Sequence, residues 1–253
     1  MPNRVFDNTA SFRFYEELND FLPPDKRKKV FDYRFNGNPA IKDPIEALGV
    51  PRTEVDLIIV NGKSVGFDHT LKNADLVSVY PVFESIDISP ILKLRETPLR
   101  KSAFILATHL GKLAKLLRLL GFDAEYSKED VDTEIIRKSI QEKRIILTRD
   151  RQLLQRKEIT HGVCIRSTDP ELQVKEVLKK FDLYSQIKEF HRCTMCNNVI
   201  NPISKSDIQH RLEPKTATHF NEFYFCSGCE RIYWKGSHYK KLKKKIQKFS
   251  KDI

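Results

Sequence analysis

The chain predicts an α/β protein in three parts: a middle domain on a buried parallel sheet, an α+β segment ahead of it, and a cysteine-bearing module behind it. Three observations carry that prediction. In the middle of the chain, short apolar runs (FILA at 104–107, RIILT at 144–148) alternate with stretches of helical periodicity. The first third shows period-two alternation of aromatic and aliphatic residues around turn signals. Near the carboxyl end stand two CxxC pairs, Cys193 with Cys196 and Cys226 with Cys229.

In the first segment, SFRFY (11–15) alternates with Phe12 and Phe14 on one face, and VFDYRF (30–35) alternates again after a turn holding Pro23 and Pro24. Residues 41–48 read as a short helix. EVDLIIVNGKSV reads as a strand leading into an Asn61-Gly62 turn, a strong short-range hairpin signal. ADLVSVYPVF closes the segment with a further strand, giving the order ββαββ. SPILKLRETPLRKS (89–102) holds Pro90, Pro98 and several cations and reads as a linker.

The middle segment begins with FILA as a buried strand. Leu110, Leu113, Leu117 and Leu120 then follow helical spacing, so one face of that helix is core. Lys112, Lys115 and Arg118 recur on the opposite band, a solvated face that also suits phosphate contact. Gly121 stands where a helix stop is expected. An acidic turn with Asp130 and Asp132 leads into a second helical stretch at 134–142, followed by RIILT and then Thr148-Arg149-Asp150-Arg151.

That order puts Asp132, at a helix start, and Asp150, after a strand, at the carboxyl edge of a parallel sheet, where open α/β folds bind ligands. Clustered carboxylates repel and raise one another's pKa unless a cation joins them. Mg²⁺ or Mn²⁺ is the usual resolution. Spacing alone leaves a second reading open, with Asp132 an N-cap and Asp150 a turn residue. Arg149 and Arg151 flank Asp150, placed either to steady a phosphate or to balance acidic charge. GVCIRS (162–167) reads as another strand with Cys164 a buried thiol, and Thr168-Asp169-Pro170-Glu171 as a helix cap with Pro at N1.

In the last segment the two CxxC pairs suit tetrahedral Zn²⁺ in a closed, structural shell, which assigns this zinc no catalysis. A redox role gives no reason for the second pair. Beyond them, Tyr233, Trp234, Lys235 and Tyr239 interleave aromatics with cations, a pattern suited to base stacking beside phosphate contacts. The tail carries Lys240, Lys241, Lys243, Lys244, Lys245, Lys248 and Lys251 around Leu242, Ile246 and Phe249, the spacing of a helix docked by one edge.

At 253 residues and 40% hydrophobic content the chain is long enough for two or three small domains. A net charge of +11 and a pI near 9.3 favour polyanionic partners. No apolar run approaches the ~20 residues of a membrane span, and MPNRVFDNTA lacks a signal-peptide core. CxxC pairs in such a chain predict metal rather than disulfides, and a reducing cytoplasm as the setting.

FILATHLGKLAKLLRLLGFDAEY, followed by IILTRDRQLL and the two CxxC motifs, resembles the Mut7-C family, a branch of the PIN-like ribonucleases with an appended zinc ribbon. The likeness runs roughly from Ala103 to Tyr239. VNGK and DLVSVYP in the first segment resemble the β-grasp of ubiquitin-like proteins, in particular the sulfur carriers and the ubiquitin-like domain found ahead of Mut7-C. The reading that results is a β-grasp domain at 1–88, a linker at 89–102, a PIN-like domain at 103–187, and a zinc ribbon with basic tail at 188–253.

The resemblance implies metal-dependent hydrolysis of RNA. The PIN pattern has an Asp opening the penultimate helix and a T-x-D after the next strand, and these positions fall on Asp132 and on Thr148 with Asp150. Thr148 would orient Asp150, and Asp130 or Glu134 would assist. A further acid often stands two residues on, where this chain has Gln152. The larger departure is at the end of the first strand, where the family has a ligand Asp and this chain has Ala107. Two readings follow: an active ribonuclease disabled by an introduced substitution, or a natural loss that leaves a non-catalytic RNA- or ribosome-binding adaptor. Sulfur carriers need a free terminal Gly-Gly, and Pro81-Val82-Phe83-Glu84 runs on without one. The β-grasp segment is therefore expected to bind or position, with a protein partner as one candidate, or to serve as a structural appendage.

Overall fold

The computed structural model describes residues 6–81, 102–159 and 161–249. The expected linker lies outside the described residues except for Ser102, as do Val82 and Phe83 of the closing strand and Lys251 of the tail. The chain divides into two compact units, one of Met1–Lys101 with Thr148–Cys164, the other of Ser102–Leu147 with Ile165–Ile253.

In the first unit, β1 (Asn8–Phe14), β2 (Phe31–Phe35), β3 (Val55–Val60), β4 (Lys63–Val65) and β5 (Leu76–Pro81) form one sheet in the order β2-β1-β5-β3-β4. β1 and β5 are parallel, and the remaining neighbours are antiparallel. With α1 (Lys42–Ala47), this is a β-grasp. The alternation of β1 does what its period requires: Phe12 and Phe14 are buried and stack with ring centroids 6.1 Å apart. Asn61 and Gly62 both have positive φ (49° and 80°), the backbone that a two-residue hairpin needs to match strand twist. That turn pairs Lys63–Val65 back onto β3, so the expected ββαββ gains a strand.

In the second unit come β6 (Ala103–Leu106), α2 (Gly111–Leu119), β7 (Asp123–Glu125), α3 (Asp132–Glu142) and all of β8 (Ile145–Thr148) but its last residue. β6 lies between β7 and β8 and is parallel to both. Phe104, Ile105, Ile146 and Leu147 are fully buried, as apolar runs in a parallel sheet should be. Leu113, Leu117 and Leu120 form the buried face of the first helix. Two expectations need correction. Residues 123–125 form a strand within what the sequence suggested was only an acidic turn; three residues with an acid at each end carry no apolar period to read. Arg118, expected on the solvated band, is 3% exposed.

Gly121 ends the helix with φ +94°, and a Cβ there would stand 2.3 Å from the Lys188 carbonyl oxygen. The chain returns at this point, with the Lys188 N–H donating to Leu120 O (2.9 Å) and the Phe190 N–H to Leu119 O (3.1 Å).

α4 (Arg151–Leu154) and β9 (Gly162–Cys164) belong to the first unit. α5 (Pro170–Lys180) opens as the sequence predicts, with Asp169 accepting from the N–H groups of Glu171 and Leu172. The remainder of the second unit holds β10 (Asn201–Ile203), α6 (Lys205–Ile208), α7 (Pro214–His219), β11 (Phe223–Phe225), β12 (Ile232–Trp234) and α8 (Ser237–Phe249). β10, β11 and β12 form an antiparallel three-stranded sheet in that order. Among the described residues no helix is long and apolar enough to cross a membrane.

Gly121→Ala combines a left-handed backbone with a clash against a carbonyl oxygen that cannot swing away. It is expected to lower the unfolding free energy by at least about 2 kcal/mol, seen as a lower urea midpoint at unchanged slope. A wild-type midpoint would show that the return at Lys188 is not anchored there.

Candidate acidic site and metal centre

Ala107 stands at the carboxyl end of β6, 4% exposed, its N–H donating to Leu147 O of β8 at 3.0 Å. Because β7 and β8 are both parallel to β6, the helix joining them must run back along the sheet, so its start lies at the carboxyl edge. Asp132 is the first residue of that helix and is exposed. Val131 holds the cap position, which removes the N-cap reading of Asp132.

Two residues beyond the buried strand end Thr148, Asp150 is exposed. Thr148 Oγ1 accepts the Asp150 N–H at 3.0 Å, and Asp150 Oδ1 accepts the Gln152 N–H at 2.8 Å as the cap of α4. The Thr148 hydroxyl therefore holds the backbone at Asp150.

The proposed helpers are engaged elsewhere. Asp130 is 2.7 Å from Lys138 Nζ, and Glu134 accepts from Arg137 Nε at 2.8 Å. The Arg137 hydrogen bond holds the Glu134 carboxyl below its usual range. Among the described residues, the four CxxC cysteines form a group of potential ligands close enough to hold an ion, and no carboxylate group of three or more does. With a methyl at 107, the acidic residues present do not make a ligand set for Mg²⁺ or Mn²⁺.

The candidate RNA contacts divide. Lys112, Lys115 and Arg149 are exposed. Arg151 is exposed with its guanidinium 4.9 Å over the Phe21 ring. Arg118 donates instead to three backbone carbonyls, Ala124 (2.7 Å), Thr194 (3.3 Å) and Met195 (2.8 Å), so it is a structural residue. The Tyr233 hydroxyl lies 3.0 Å from Cys193 Sγ, and the Tyr239 ring stacks on Phe190 at 4.5 Å, which withdraws both from base stacking. Trp234 stays 40% exposed, and Lys235 pairs with Glu222. On α8, Ile246 and Phe249 are buried while Leu242 is exposed, leaving Lys240, Lys241, Lys243, Lys244 and Lys248 to solvent.

Each CxxC forms a tight knuckle. Asn197 and Glu230, the residues after Cys196 and Cys229, both take positive φ (70° and 56°). The cysteine sulfurs all lie within 4.8 Å of one another, with 3.5 Å between Cys193 and Cys229 and 3.2 Å between Cys196 and Cys226. A tetrahedron of about 2.3 Å zinc–sulfur bonds sets sulfurs roughly 3.8 Å apart, so the donor set and its spacing fit Zn²⁺. Burial pushes the Cys193 thiol up, but the Tyr233 hydroxyl and the N–H groups of Cys196 and Met195 outweigh it and bring it down to about 6. Burial pushes Cys196 up to about 12. A cation would convert all four to thiolates.

The first knuckle is joined to β7. Asn197 Oδ1 accepts the Ala124 N–H at 3.0 Å, and Asn197 Nδ2 donates to Asp123 at 2.7 Å. Asp123 also receives Arg144 (2.6 Å) and Arg192 (3.2 Å). Burial alone would raise the Asp123 carboxyl, but the hydrogen bonds from Arg144 and Asn197 and the two guanidinium charges hold it below the usual carboxylate range. Sequence reasoning missed Asp123, Asn197 and Arg192; the one available signal was the Asn-Asn pair directly after a CxxC.

A family model described as the Mut7-C RNAse domain matches residues 102–246, and one described as Mut7-C ubiquitin matches residues 7–87. No curated protein and no solved structure gives a significant match.

Elemental analysis is expected to find one zinc per chain, lost in Cys229→Ser. Because Asn197 sits on the knuckle, metal loss is also expected to lower the thermal midpoint of the whole second unit. Asn197→Ala alone should cost about 1–3 kcal/mol by leaving the buried Ala124 N–H without its acceptor. A second unit that keeps its midpoint after zinc removal would show that the knuckle and β7 fold independently.

Proposed function

The chain belongs to the Mut7-C RNAse family, and from that premise we propose that its α/β domain engages RNA at the acidic edge of its sheet, with hydrolysis blocked by one missing ligand. Its ribonuclease-like character follows from the family match. The observation that carries the finer reading is that the surroundings of the ligand positions are kept while one side chain is not. Ala107 still pairs with β8, and Thr148 still fixes Asp150, yet position 107 ends in a methyl group.

Asp132 and Asp150 are the ligands we assign. With an Asp at 107, three carboxylates would be available to Mg²⁺ or Mn²⁺, which in such sites supplies an activated water and neutralises the departing oxygen. For the chain as it stands, Ala107 favours a second reading, an adaptor that binds RNA without cutting it. In both readings Lys112, Lys115, Arg149 and the α8 lysines contact phosphates, and Trp234 offers a base a stacking surface. Two CxxC pairs placed to hold a metal rather than to form disulfides fit a reducing cytoplasm.

The test compares this chain with Ala107→Asp on labelled RNA with Mg²⁺ or Mn²⁺, then with chelator. The variant is expected to cleave on the order of 10²-fold faster or more, and Asp150→Asn added to it should remove the gain. Cleavage by neither chain on tRNA, rRNA and mRNA fragments would leave the adaptor. RNA affinity is expected to fall with salt at a log–log slope of about −0.7 per phosphate contact. A flat dependence would remove α8 as an RNA contact.

A further inference from the structure

We propose that the ubiquitin-like domain is a positioning module for the segment that carries Asp150. Residues 148–164 lie inside the stretch matched by the RNAse model, yet they cluster with the ubiquitin-like residues in the first unit. Two contacts, at opposite ends of the segment, join it to the ubiquitin-like residues.

The first involves Glu54, at the end of the short 3-10 turn Arg52–Glu54 that leads into β3. Its side chain is fully buried (0% exposed) and accepts the Cys164 N–H of β9 at 2.6 Å, across 110 residues of chain. A glutamate is almost never fully buried without a partner, and a short charge-assisted bond to a backbone N–H is the kind that offsets its desolvation. The turn itself packs against β9.

The second contact is Arg151, the first residue of α4, whose guanidinium lies 4.9 Å over the ring of the buried Phe21. Between these two grips α4 packs on β9, and Leu153, Leu154 and Ile159 are buried. Glu54 and Phe21 thus hold the two ends of one small body.

Asp150 caps α4 through its own carboxylate, so its orientation follows α4. A clamp on α4 and β9 is therefore a clamp on the aim of Asp150. This also gives the ubiquitin-like domain work within its own chain, since a carrier reaction needs a free Gly-Gly end that residues 81–84 do not provide. The inference rests on Asp150 being a metal ligand; the clamp itself does not.

The experiment uses the full chain with Glu54→Ala, which removes the acceptor, Glu54→Gln, which keeps one, and Phe21→Leu, which removes the ring but keeps apolar volume. Hydrogen exchange of peptides covering 148–164 is expected to rise about tenfold in Glu54→Ala and Phe21→Leu, with Glu54→Gln near wild type and peptides covering 102–120 unchanged. Unchanged exchange at 148–164, or a rise shared by the whole chain, overturns the clamp.

The same variants are then placed on Ala107→Asp, and Mn²⁺ binding is measured by calorimetry. The Kd for Mn²⁺ is expected to rise about tenfold, with RNA KM unchanged. A Kd that does not move, or a chain that binds no Mn²⁺, overturns the positioning role. Mn²⁺ binding without RNA cleavage sinks the ribonuclease reading alone.

Discussion

The second unit depends on how β7 is held. A strand of three residues with an acid at each end has too little apolar surface to anchor itself. At the margin of a sheet its backbone groups would also invite pairing with another chain. Here both groups of Ala124 are satisfied by side chains, its N–H by Asn197 and its carbonyl by Arg118. Asp123 beside it gathers Arg144, Arg192 and Asn197. Two of those four partners, Arg192 and Asn197, come from the first cysteine knuckle or the residue before it. The knuckle therefore closes the margin of the sheet. A metal held by the four cysteines, worth roughly 10–16 kcal/mol in small zinc modules, would reach the α/β core through these bonds.

The acidic edge is built differently, from backbone that does not need its side chains. Ala107 keeps the strand pairing of its position because an N–H to Leu147 is indifferent to what the Cβ carries. The Thr148–Asp150 turn is equally local, a hydroxyl accepting an N–H two residues on. A carboxylate can thus be lost at 107 without disturbing its scaffold. Asp130 and Glu134 do not replace it, because Lys138 and Arg137 on the same helix already hold them.

Much of this was legible in the sequence, and the parts share a cause. FILA, RIILT, the leucine face of α2, the Asn61-Gly62 hairpin, the Gly121 stop and the Asp169-Pro170 cap are short-range signals, each decided by the period or backbone preference of a few neighbouring residues. The misreadings fall on side chains whose partners are distant in sequence. Arg118 looks like one of a row of solvated cations because helical spacing says nothing of Thr194 and Met195, more than seventy residues away. Tyr233 and Tyr239 look like stacking aromatics until Cys193 and Phe190 are beside them.

By itself the sequence determined the order of the ubiquitin-like and RNAse-like segments, the β-grasp and parallel-sheet elements, the four cysteines as a set suited to a metal, and the absence of a carboxylate at 107, since residue type and local period settle all of these. Only the tertiary structure decided that β7 exists, that Arg118 is a strut, that the cysteine knuckle serves the sheet, and that Glu54 reaches Cys164. Each of those is a polar group desolvated by folding, and a buried donor or acceptor must find its partner wherever the chain happens to bring one.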